Sequence, residues 1–153
     1  MQSTHNRQSA GSSPVRRTIT MKIIINGSFD IVHYGHLKLL EYARSFPKSF
    51  VYVLIDTDRR ISELKGLDRP INKLHERMFL LKSLRYVDEV DYFDSDIELD
   101  LLIREYSPDI MIKGSDYKDK FIIGEQYCKE VIFYDRLEPY STTQKIQNIA
   151  SRR

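Results

Sequence analysis

Cysteine is scarce in this chain: Cys128 is the single one among 153 residues. One cysteine excludes an intramolecular disulfide framework and fits a reducing compartment, so we expect a cytoplasmic protein. Long apolar runs are also missing, since no stretch approaches the roughly 18 apolar residues of a membrane span. The N-terminus has no apolar core typical of a secretion signal. We therefore expect no membrane partner, while an apolar content of 41% is enough for a packed core.

The excess of basic charge is confined to the N-terminus. The whole chain has 24 Lys and Arg against 22 Asp and Glu, and its first 20 residues contribute Arg7, Arg16 and Arg17 without any acid. The remainder is therefore not basic, which removes the support that net charge would give to a nucleic-acid partner. We predict that residues 1–20 are a disordered leader and that the folded domain spans 21–153. An Arg- and Ser-rich organelle transit peptide is the alternative for the leader.

Strand and helix patterns alternate along the rest of the chain. Aliphatic runs of β-rich composition predict strands over residues 22–26, 50–56, 87–93, 109–112 and 130–134. Helical spacing of apolar residues predicts helices over residues 34–44, 73–84, 97–106 and 142–151. We predict a loop or broken helix over 59–70 and a loop over 114–126. Such alternation is typical of parallel βαβ units, so we predict an α/β fold with helices on both faces of one open, mostly parallel sheet. Ligands of such sheets bind beyond the carboxyl ends of the strands.

The first predicted strand runs into a turn that is suited to binding phosphate. It reads GSFDIVHYGH, from Gly27 to His36. Gly27 lets the backbone turn sharply and approach a ligand closely. His33 and His36 lie three residues apart across a helix start, so both imidazoles can face one side, and Gly35 leaves space between them. The amides of the helix start favour an anion, so we predict that this turn binds phosphate.

Two other interpretations of the histidine pair remain open. The two rings could simply be solvated, or they could be two ligands of a zinc site. Zinc needs a third and a fourth ligand, and His5, His75 and Cys128 lie in unrelated parts of the sequence. We therefore predict no metal site built from protein ligands alone.

The segment GSFDIVHYGH resembles the HxGH signature of a nucleotidyltransferase superfamily, and the resemblance extends from about Met21 to about Ile149. The resemblance implies a single Rossmann-like domain. It also implies transfer of a nucleotidyl group from a nucleoside triphosphate, bound with Mg²⁺, to a phosphate acceptor, and release of pyrophosphate. Members of this superfamily often form homodimers, so we expect one here. His33 and His36 are then catalytic, because neutral imidazoles can donate hydrogen bonds to phosphate oxygens as charge builds on them. The nucleotide-binding residues of this turn are then Gly27, Ser28, Phe29 and Gly35.

A basic segment resembles the lysine loop of the small cytidylyl- and adenylyltransferases. It contains Lys65-Gly66, Arg69-Pro70 and Glu76-Arg77. Lys65 is a mobile point charge that can reach a triphosphate, which makes it a catalytic candidate, and Arg77 can grip an oxyanion by its fork. We expect Arg77 and Asp30 to bind the acceptor, with Asp30 a further candidate for supporting a metal. A solvated basic loop is the alternative.

Lys113-Gly114-Ser115-Asp116-Tyr117 follows the fourth predicted strand and resembles the loop that contacts the nucleobase in these enzymes. The resemblance implies that Lys113, Gly114 and Asp116 bind the nucleotide, and Tyr117 offers a face for stacking. An ordinary glycine turn is the alternative.

The segment RLEPYSTT, from Arg136 to Thr143, resembles the RTEGIST(T) signature of cytidylyltransferases. The resemblance implies that Arg136 neutralises the triphosphate and is catalytic. Amides and hydroxyls of Ser141, Thr142 and Thr143 then hold the terminal phosphates, as the start of a helix favours. Pro139 stands where the family usually has glycine, which stiffens the loop and removes an amide donor. A plain helix cap is the alternative.

The finer resemblance is divided between two kinds of enzyme. HYGHLKLLEYAR and RLEPYSTT resemble glycerol-3-phosphate cytidylyltransferase, whereas KGLDRPIN and KGSDY resemble the adenylyltransferase that converts heptose 1-phosphate to ADP-heptose. Arg136 favours CTP, so our first expectation is CTP with a small phosphorylated polyol or sugar such as glycerol 3-phosphate. ATP with heptose 1-phosphate is the alternative, and a nucleotide-binding regulator without turnover is a second one.

Overall fold

The five aliphatic runs form the strands of one sheet. The computed structural model describes residues 20–152, so the predicted leader lies outside the described residues except for Thr20. The strands are β1 (Met21–Gly27), β2 (Ser49–Asp56), β3 (Glu89–Phe93), β4 (Ile110–Gly114) and β5 (Glu130–Tyr134). Each predicted strand is confirmed, with ends that move by at most two residues.

Five α-helices lie among residues 20–152. They are α1 (Tyr34–Arg44), α2 (Asp58–Lys65), α3 (Leu74–Lys82), α4 (Asp96–Tyr106) and α5 (Thr142–Ala150). The second helix occupies the segment predicted as a loop or broken helix. It forms because the Thr57 hydroxyl caps its first turn by accepting from the Arg60 amide, and Asp58 complements the positive end of the helix dipole. No helix in this part of the chain has the length and apolar character to cross a membrane.

The strands pair in the order β3-β2-β1-β4-β5, and every pair is parallel. The predicted α/β fold with one parallel sheet is therefore confirmed. The chain leaves β1 in one direction to form β2 and β3, and it later returns to the other side of β1 to form β4 and β5. The strand order thus reverses between β1 and β4, and a crevice opens there beyond their carboxyl ends.

Alternation along the strands builds two cores, one on each face of the sheet. Ile23 and Ile25 pack with Leu40 of α1 and Leu81 of α3. Ile24 faces the other way and belongs to a second cluster that includes Leu99 and Ile103 of α4. The strand period of two places neighbours on opposite faces, and helices therefore cover both faces, as the sequence predicts.

Candidate active site

A cavity of about 430 Å³ lies at the carboxyl ends of the central strands. It brings together segments that are far apart in sequence: the turn after β1, the end of α2, the loop after β4 and the start of α5. Most of the residues predicted for the site line it: Gly27, Ser28, Phe29, His33, Gly35, His36, Lys65, Lys113, Gly114, Asp116, Arg136, Ser141, Thr142 and Thr143. Asp30 and Arg77 are not among the lining residues.

His33 and His36 form a stacked pair at the start of α1. Their ring centroids are 3.8 Å apart and the ring planes differ by 25°. His33 is the N-cap residue, and its Nδ1 accepts a hydrogen bond from the Gly35 amide at 3.1 Å. His36 Nδ1 accepts from the His33 amide at 3.3 Å. Because both Nδ1 atoms accept from backbone, the neutral rings carry their protons on Nε2, which leaves two N–H donors for a ligand.

Both imidazoles are held neutral by their surroundings. Burial lowers the pKa of His36 to about 3, and repulsion from His33 when that ring is protonated, from Lys65 and from Arg136 acts in the same direction. Burial, with repulsion from Lys145 and Arg136, also lowers the pKa of His33. At neutral pH the pair is therefore a source of two uncharged hydrogen-bond donors, rather than a pair of cations.

The fit around the pair is close. A Cβ atom on Gly35 would lie 3.0 Å from His33 Cε1 and 3.2 Å from the Cβ of Tyr140, so only glycine fits without displacing a neighbour. Phe29 lies beneath the pair, with its ring 4.8 Å from that of His36 and only 3% of its surface exposed. Phe29 therefore supports His36 by packing, and offers little surface to a nucleotide.

Two basic side chains in the cavity wall, Lys65 and Lys113, form no ion pair with a carboxylate among the described residues. Lys65 Nζ lies 3.0 Å from Ser28 Oγ, beside the histidine turn. Burial, together with repulsion from Arg69, lowers the pKa of Lys65. Arg136 is exposed and lies 4.0 Å from the carboxylate of Asp116.

Lys113 lies at the crevice between β1 and β4. Its Nζ is 3.4 Å from Asn26 Oδ1 and 4.1 Å from the ring centroid of Tyr117. Burial lowers the pKa of Lys113, because few polar groups replace the water that the ammonium loses. An anionic or strongly polar ligand in the cavity would compensate this charge.

The start of α5 lies beside the histidine turn in the cavity wall. Ser141 is the N-cap residue, and its Oγ accepts from the Gln144 amide at 3.0 Å. Thr142 Oγ1 donates to the carbonyl of Ile31 at 3.3 Å, which ties α5 to the turn after β1. The Ser141 hydroxyl proton stays available to a ligand, as do the first amides of the helix.

The expectation that Asp30 and Arg77 contact the acceptor is not supported, because both are 1% exposed and bonded to the protein itself. The Asp30 carboxylate accepts from the amides of Ile71 and Asn72 and from Arg69 Nε. Burial opposes ionisation of Asp30, but these hydrogen bonds outweigh it and lower its pKa.

Arg77 holds the backbone of the site in place instead of binding an anion. Its guanidinium donates to the carbonyls of Ser28, Asp56 and Asn72 and to the carboxylate of Asp58. With its donors engaged, Arg77 positions the turn after β1 against the end of β2. It does not reach the cavity.

Sequence reasoning missed several residues of the cavity wall. They include Asp56, Arg60, Phe93 and Tyr134. Asp56 and Phe93 end β2 and β3, so the rule that ligands bind beyond the carboxyl ends of parallel strands pointed to both. Their side chains carry no motif, and the tertiary fold was needed to place them together.

The fold and the site define an α/β protein that has a stacked pair of imidazoles in a cavity at the carboxyl ends of its parallel strands. The cytidylyltransferase-like family model matches residues 24–148, and the chain belongs to this family of nucleotidyltransferases.

Curated relatives are each named "Bifunctional protein HldE". The chain is 42% identical over 127 residues to that of Helicobacter hepaticus, covering 83% of this chain and 26% of the relative. It is 38% identical over 135 residues to that of Campylobacter fetus subsp. fetus, covering 88% and 29%. It is 40% identical over 129 residues to that of a Nitratiruptor species, covering 84% and 28%. The chain therefore spans between a quarter and a third of the length of these relatives.

A solved structure has the same fold. It is described as the lipopolysaccharide core biosynthesis protein from Thermoplasma volcanium GSS1. The match has a TM-score of 0.63 and 22% identity, and it covers 78% of this chain and 100% of the other. At this level of identity the likeness supports the fold alone.

Proposed function

We propose that this protein transfers an adenylyl group from ATP to heptose 1-phosphate, forming ADP-heptose and releasing pyrophosphate. The observation that carries the nucleotidyl-transfer chemistry is the pair of neutral imidazoles whose Nε2–H groups are free for a ligand. Similarity to the HldE proteins favours ATP and heptose 1-phosphate over our first expectation of CTP and glycerol 3-phosphate. KGLDRPIN and KGSDY, which resemble the heptose 1-phosphate enzyme, support the same choice.

In the proposed reaction, a phosphate oxygen of the acceptor attacks the α-phosphorus of the triphosphate in line with the leaving group. The new P–O bond forms as the bond to pyrophosphate breaks, and pyrophosphate leaves with the electron pair. His33 and His36 donate from Nε2 to the α-phosphate oxygens, on which charge builds in the transition state. No enzyme nucleophile is needed, because positioning and electrostatics account for such catalysis.

The remaining anionic groups are held by the cations and the helix end. The amides at the start of α5 and the Ser141 hydroxyl suit the terminal phosphates. Arg136 also lines the cavity, 4.0 Å from Asp116, and would neutralise the triphosphate. Lys65, at the end of α2 with its Nζ on Ser28, would offset charge on the α-phosphate and the incoming phosphate.

The cavity fits a Mg²⁺ ion that arrives with the triphosphate. Among residues 20–152, no group of three or more His, Cys, Asp or Glu side chains could hold a metal by itself. Mg²⁺ usually binds through one or two carboxylates plus substrate phosphates, so such a cage is not required. Asp116, whose side chain is 56% exposed in the cavity wall, is the carboxylate best placed to take part. The ion would neutralise charge on the triphosphate.

We also propose that the protein acts in the cytoplasm as a homodimer, without nucleic acid or membrane as a partner. The single cysteine supports the cytoplasmic location, and the absence of a basic excess outside residues 1–20 argues against a nucleic-acid partner. The homodimer is proposed because members of the superfamily often form one. Light scattering coupled to gel filtration tests the dimer, and a mass of one chain would contradict it.

The function is tested by a pyrophosphate-release screen. ATP, CTP, GTP and UTP are each combined with heptose 1-phosphate, glycerol 3-phosphate and phosphocholine in the presence of Mg²⁺. We expect the fastest release from ATP with heptose 1-phosphate. Fastest release from CTP with glycerol 3-phosphate would favour the interpretation that Arg136 first suggested. Tight nucleotide binding without release from any pair would identify a silent regulator.

A further inference from the structure

The cavity extends past the histidine pair to the carboxyl ends of β2 and β3. This part of the wall is formed by Asp56, Arg60, Ile61, Leu64 and Phe93. None of these residues is itself assigned to the triphosphate or the nucleobase in the proposed function, although three of them share α2 with Lys65. They form a separate region, which we call the β2 subsite.

The strand order separates this region from the nucleotide. β2 and β4 lie on opposite sides of β1, so their ends are about 10 Å apart at the usual spacing of strands. Asp56 follows Ile55, which pairs with Gly27, so it lies at the mouth of the crevice on the β2 side. Gly114 ends β4 on the other side. A nucleotide that contacts the loop after β4 and the start of α5 leaves the β2 subsite for the second substrate.

Asp56 and Arg60 form an ion pair in the wall of this subsite. Arg60 Nε lies 2.8 Å from Asp56 Oδ1, and the two side chains are 19% and 12% exposed. Arg60 also donates from Nη2 to Asp96 Oδ1 at 2.6 Å, and its guanidinium lies 5.2 Å from the ring centroid of Phe93. These contacts fix the orientation of Arg60.

The pair retains hydrogen-bonding groups for a ligand. Within the part of the chain that the structure describes, no group donates to Asp56 Oδ2, and Arg60 Nη1 has no acceptor. A carboxylate oxygen beside a guanidinium donor matches the donor and acceptor pattern of neighbouring hydroxyl groups. Since its two charges offset each other, the pair is poorly suited to a second phosphate.

Apolar groups and a cation complete the subsite. Leu64 is 66% exposed and gives the subsite an apolar surface that suits the C–H face of a sugar, whereas Ile61 and Phe93 are buried and only support this wall. Lys65 lies between this wall and the histidine pair, with its Nζ on Ser28. An acceptor with its phosphate near Lys65 would extend its hydroxyl groups toward Asp56 and Arg60.

We propose that Asp56 and Arg60 form a hydroxyl-recognition site for the polyol end of a sugar phosphate, and that this site selects a long acceptor over a short one. The proposal rests on the proposed function for the identity of the second substrate. It adds two residues that determine specificity, and it names the chemical class of the ligand that they contact. This ligand is a chain or a ring that carries neighbouring hydroxyl groups.

Calorimetric binding of heptose 1-phosphate to the full-length protein tests the site, with glycerol 3-phosphate as the short ligand. Asp56→Asn keeps the side-chain volume but replaces a free acceptor oxygen by a donor. We expect it to weaken heptose 1-phosphate binding roughly ten- to hundredfold, while glycerol 3-phosphate and ATP bind as before. Arg60→Gln is the second variant, with the same expected pattern if Asp56→Asn is poorly folded.

Asp96→Asn is the matched control. It removes the other carboxylate partner of Arg60, is 66% exposed and lies outside the cavity wall. If Arg60 serves only to connect β2 with α4 through its two carboxylate partners, the Asp56 and Asp96 variants should lose thermal stability together and neither should change sugar-phosphate binding. That result would overturn the proposal, as would wild-type protein that fails to distinguish the two ligands.

The hydroxyl-recognition site and the adenylyl transfer can be tested independently of each other. Suppose that the wild-type protein binds heptose 1-phosphate, that Asp56→Asn abolishes this binding, and that no triphosphate gives pyrophosphate release. This result would overturn the proposed function but would support the hydroxyl-recognition site. Suppose instead that the protein converts ATP and heptose 1-phosphate, and that Asp56→Asn and Arg60→Gln both leave the KM for heptose 1-phosphate unchanged. This result would support the proposed function and overturn the hydroxyl-recognition site.

Discussion

The rings of His33 and His36 stack with their centroids 3.8 Å apart, and each ring accepts a backbone N–H at its Nδ1. The backbone of one helix start thus fixes the tautomer of both residues. Two Nε2–H donors side by side can serve two oxygens of one phosphate, and burial keeps both rings uncharged. Because the rings are uncharged, the strength of their hydrogen bonds to a ligand depends on how well the two Nε2–H groups are aligned with its oxygens.

Removal of one donor should affect catalysis far more than folding. We expect His36→Ala to lower kcat by about two orders of magnitude or more, the usual loss for a donor to a transition-state oxyanion. The melting temperature should change little by comparison. His75→Ala, an exposed histidine outside the cavity, is the control and should retain full activity. If the His36 variant lost activity only in proportion to its folded fraction, the ring would be structural.

The histidines should also give the stability a defined pH dependence. Because the folded-state pKa of His36 is about 3, against 6.5 for the free side chain, the unfolded chain binds more protons in between. The contribution of His36 is therefore fully present above pH 6.5 and is lost as the pH falls toward 3. Urea unfolding across this range should show a steeper loss for wild type than for His36→Gln. Parallel pH profiles would contradict the lowered pKa.

Arg77 should prove essential for folding rather than for acceptor binding. Arg77→Met leaves the carbonyls of Ser28, Asp56 and Asn72 without their donor in a buried place. We expect a loss of about 3–5 kcal/mol in the free energy of unfolding, the range for breaking a buried charged network. Arg85→Met, on the exposed surface, should cost little. A stable Arg77 variant with a raised acceptor KM would restore the original assignment.

Gly35 should tolerate no side chain. In Gly35→Ala the new Cβ would meet the His33 ring at 3.0 Å and Tyr140 at 3.2 Å, so the ring must shift. Because His33 is one of the two donors, we expect kcat to fall by more than tenfold, roughly the effect of a misplaced catalytic group. Steady-state kinetics measure this directly. An unchanged kcat would show that the position of His33 does not limit the reaction.

Ser141 should contribute to nucleotide binding beyond its role as a helix cap. Ser141→Ala is expected to cost about 1 kcal/mol of stability, as for any lost N-cap, and in addition to weaken ATP binding. Ser95→Ala is the matched control, since Ser95 caps α4 in the same way, at 3.1 Å from the Glu98 amide, outside the cavity. Equal stability losses with equal ATP affinities would remove α5 from the phosphate site.

The fold could be predicted from sequence because its signals are local. The range 34–44 predicted for the first helix agrees with Tyr34–Arg44 in the structure, since apolar spacing and the preceding glycine turn define both ends. The run 130–134 likewise forms β5. Parallel pairing follows from the alternation of strands and helices, which determines topology before any contact is known.

The site was only partly predictable, because the roles of several of its residues depend on contacts with residues that are distant in the sequence. Asp30 lies in the GSFDIVHYGH motif, yet its carboxylate accepts a hydrogen bond from the Ile71 amide, 41 residues away in the sequence. The residues near Asp30 in the sequence give no sign that its carboxylate is buried and hydrogen-bonded in this way. The helix cap formed by His33 could not be predicted for another reason, since histidine is not among the residues that usually cap helices. The sequence therefore indicated that His33 binds phosphate, but it did not show that the cap fixes the tautomer of the His33 ring.

The central claim is that two neutral imidazoles present Nε2–H donors to a bound nucleotide phosphate. Long-range ¹H–¹⁵N NMR of the histidine side chains, with and without a non-hydrolysable ATP analogue and Mg²⁺, tests it most directly. We predict that His33 and His36 are both neutral Nε2–H tautomers at neutral pH and that both Nε2 resonances shift when the analogue binds. Protonated rings, Nδ1–H tautomers or resonances that ignore the nucleotide would contradict the account.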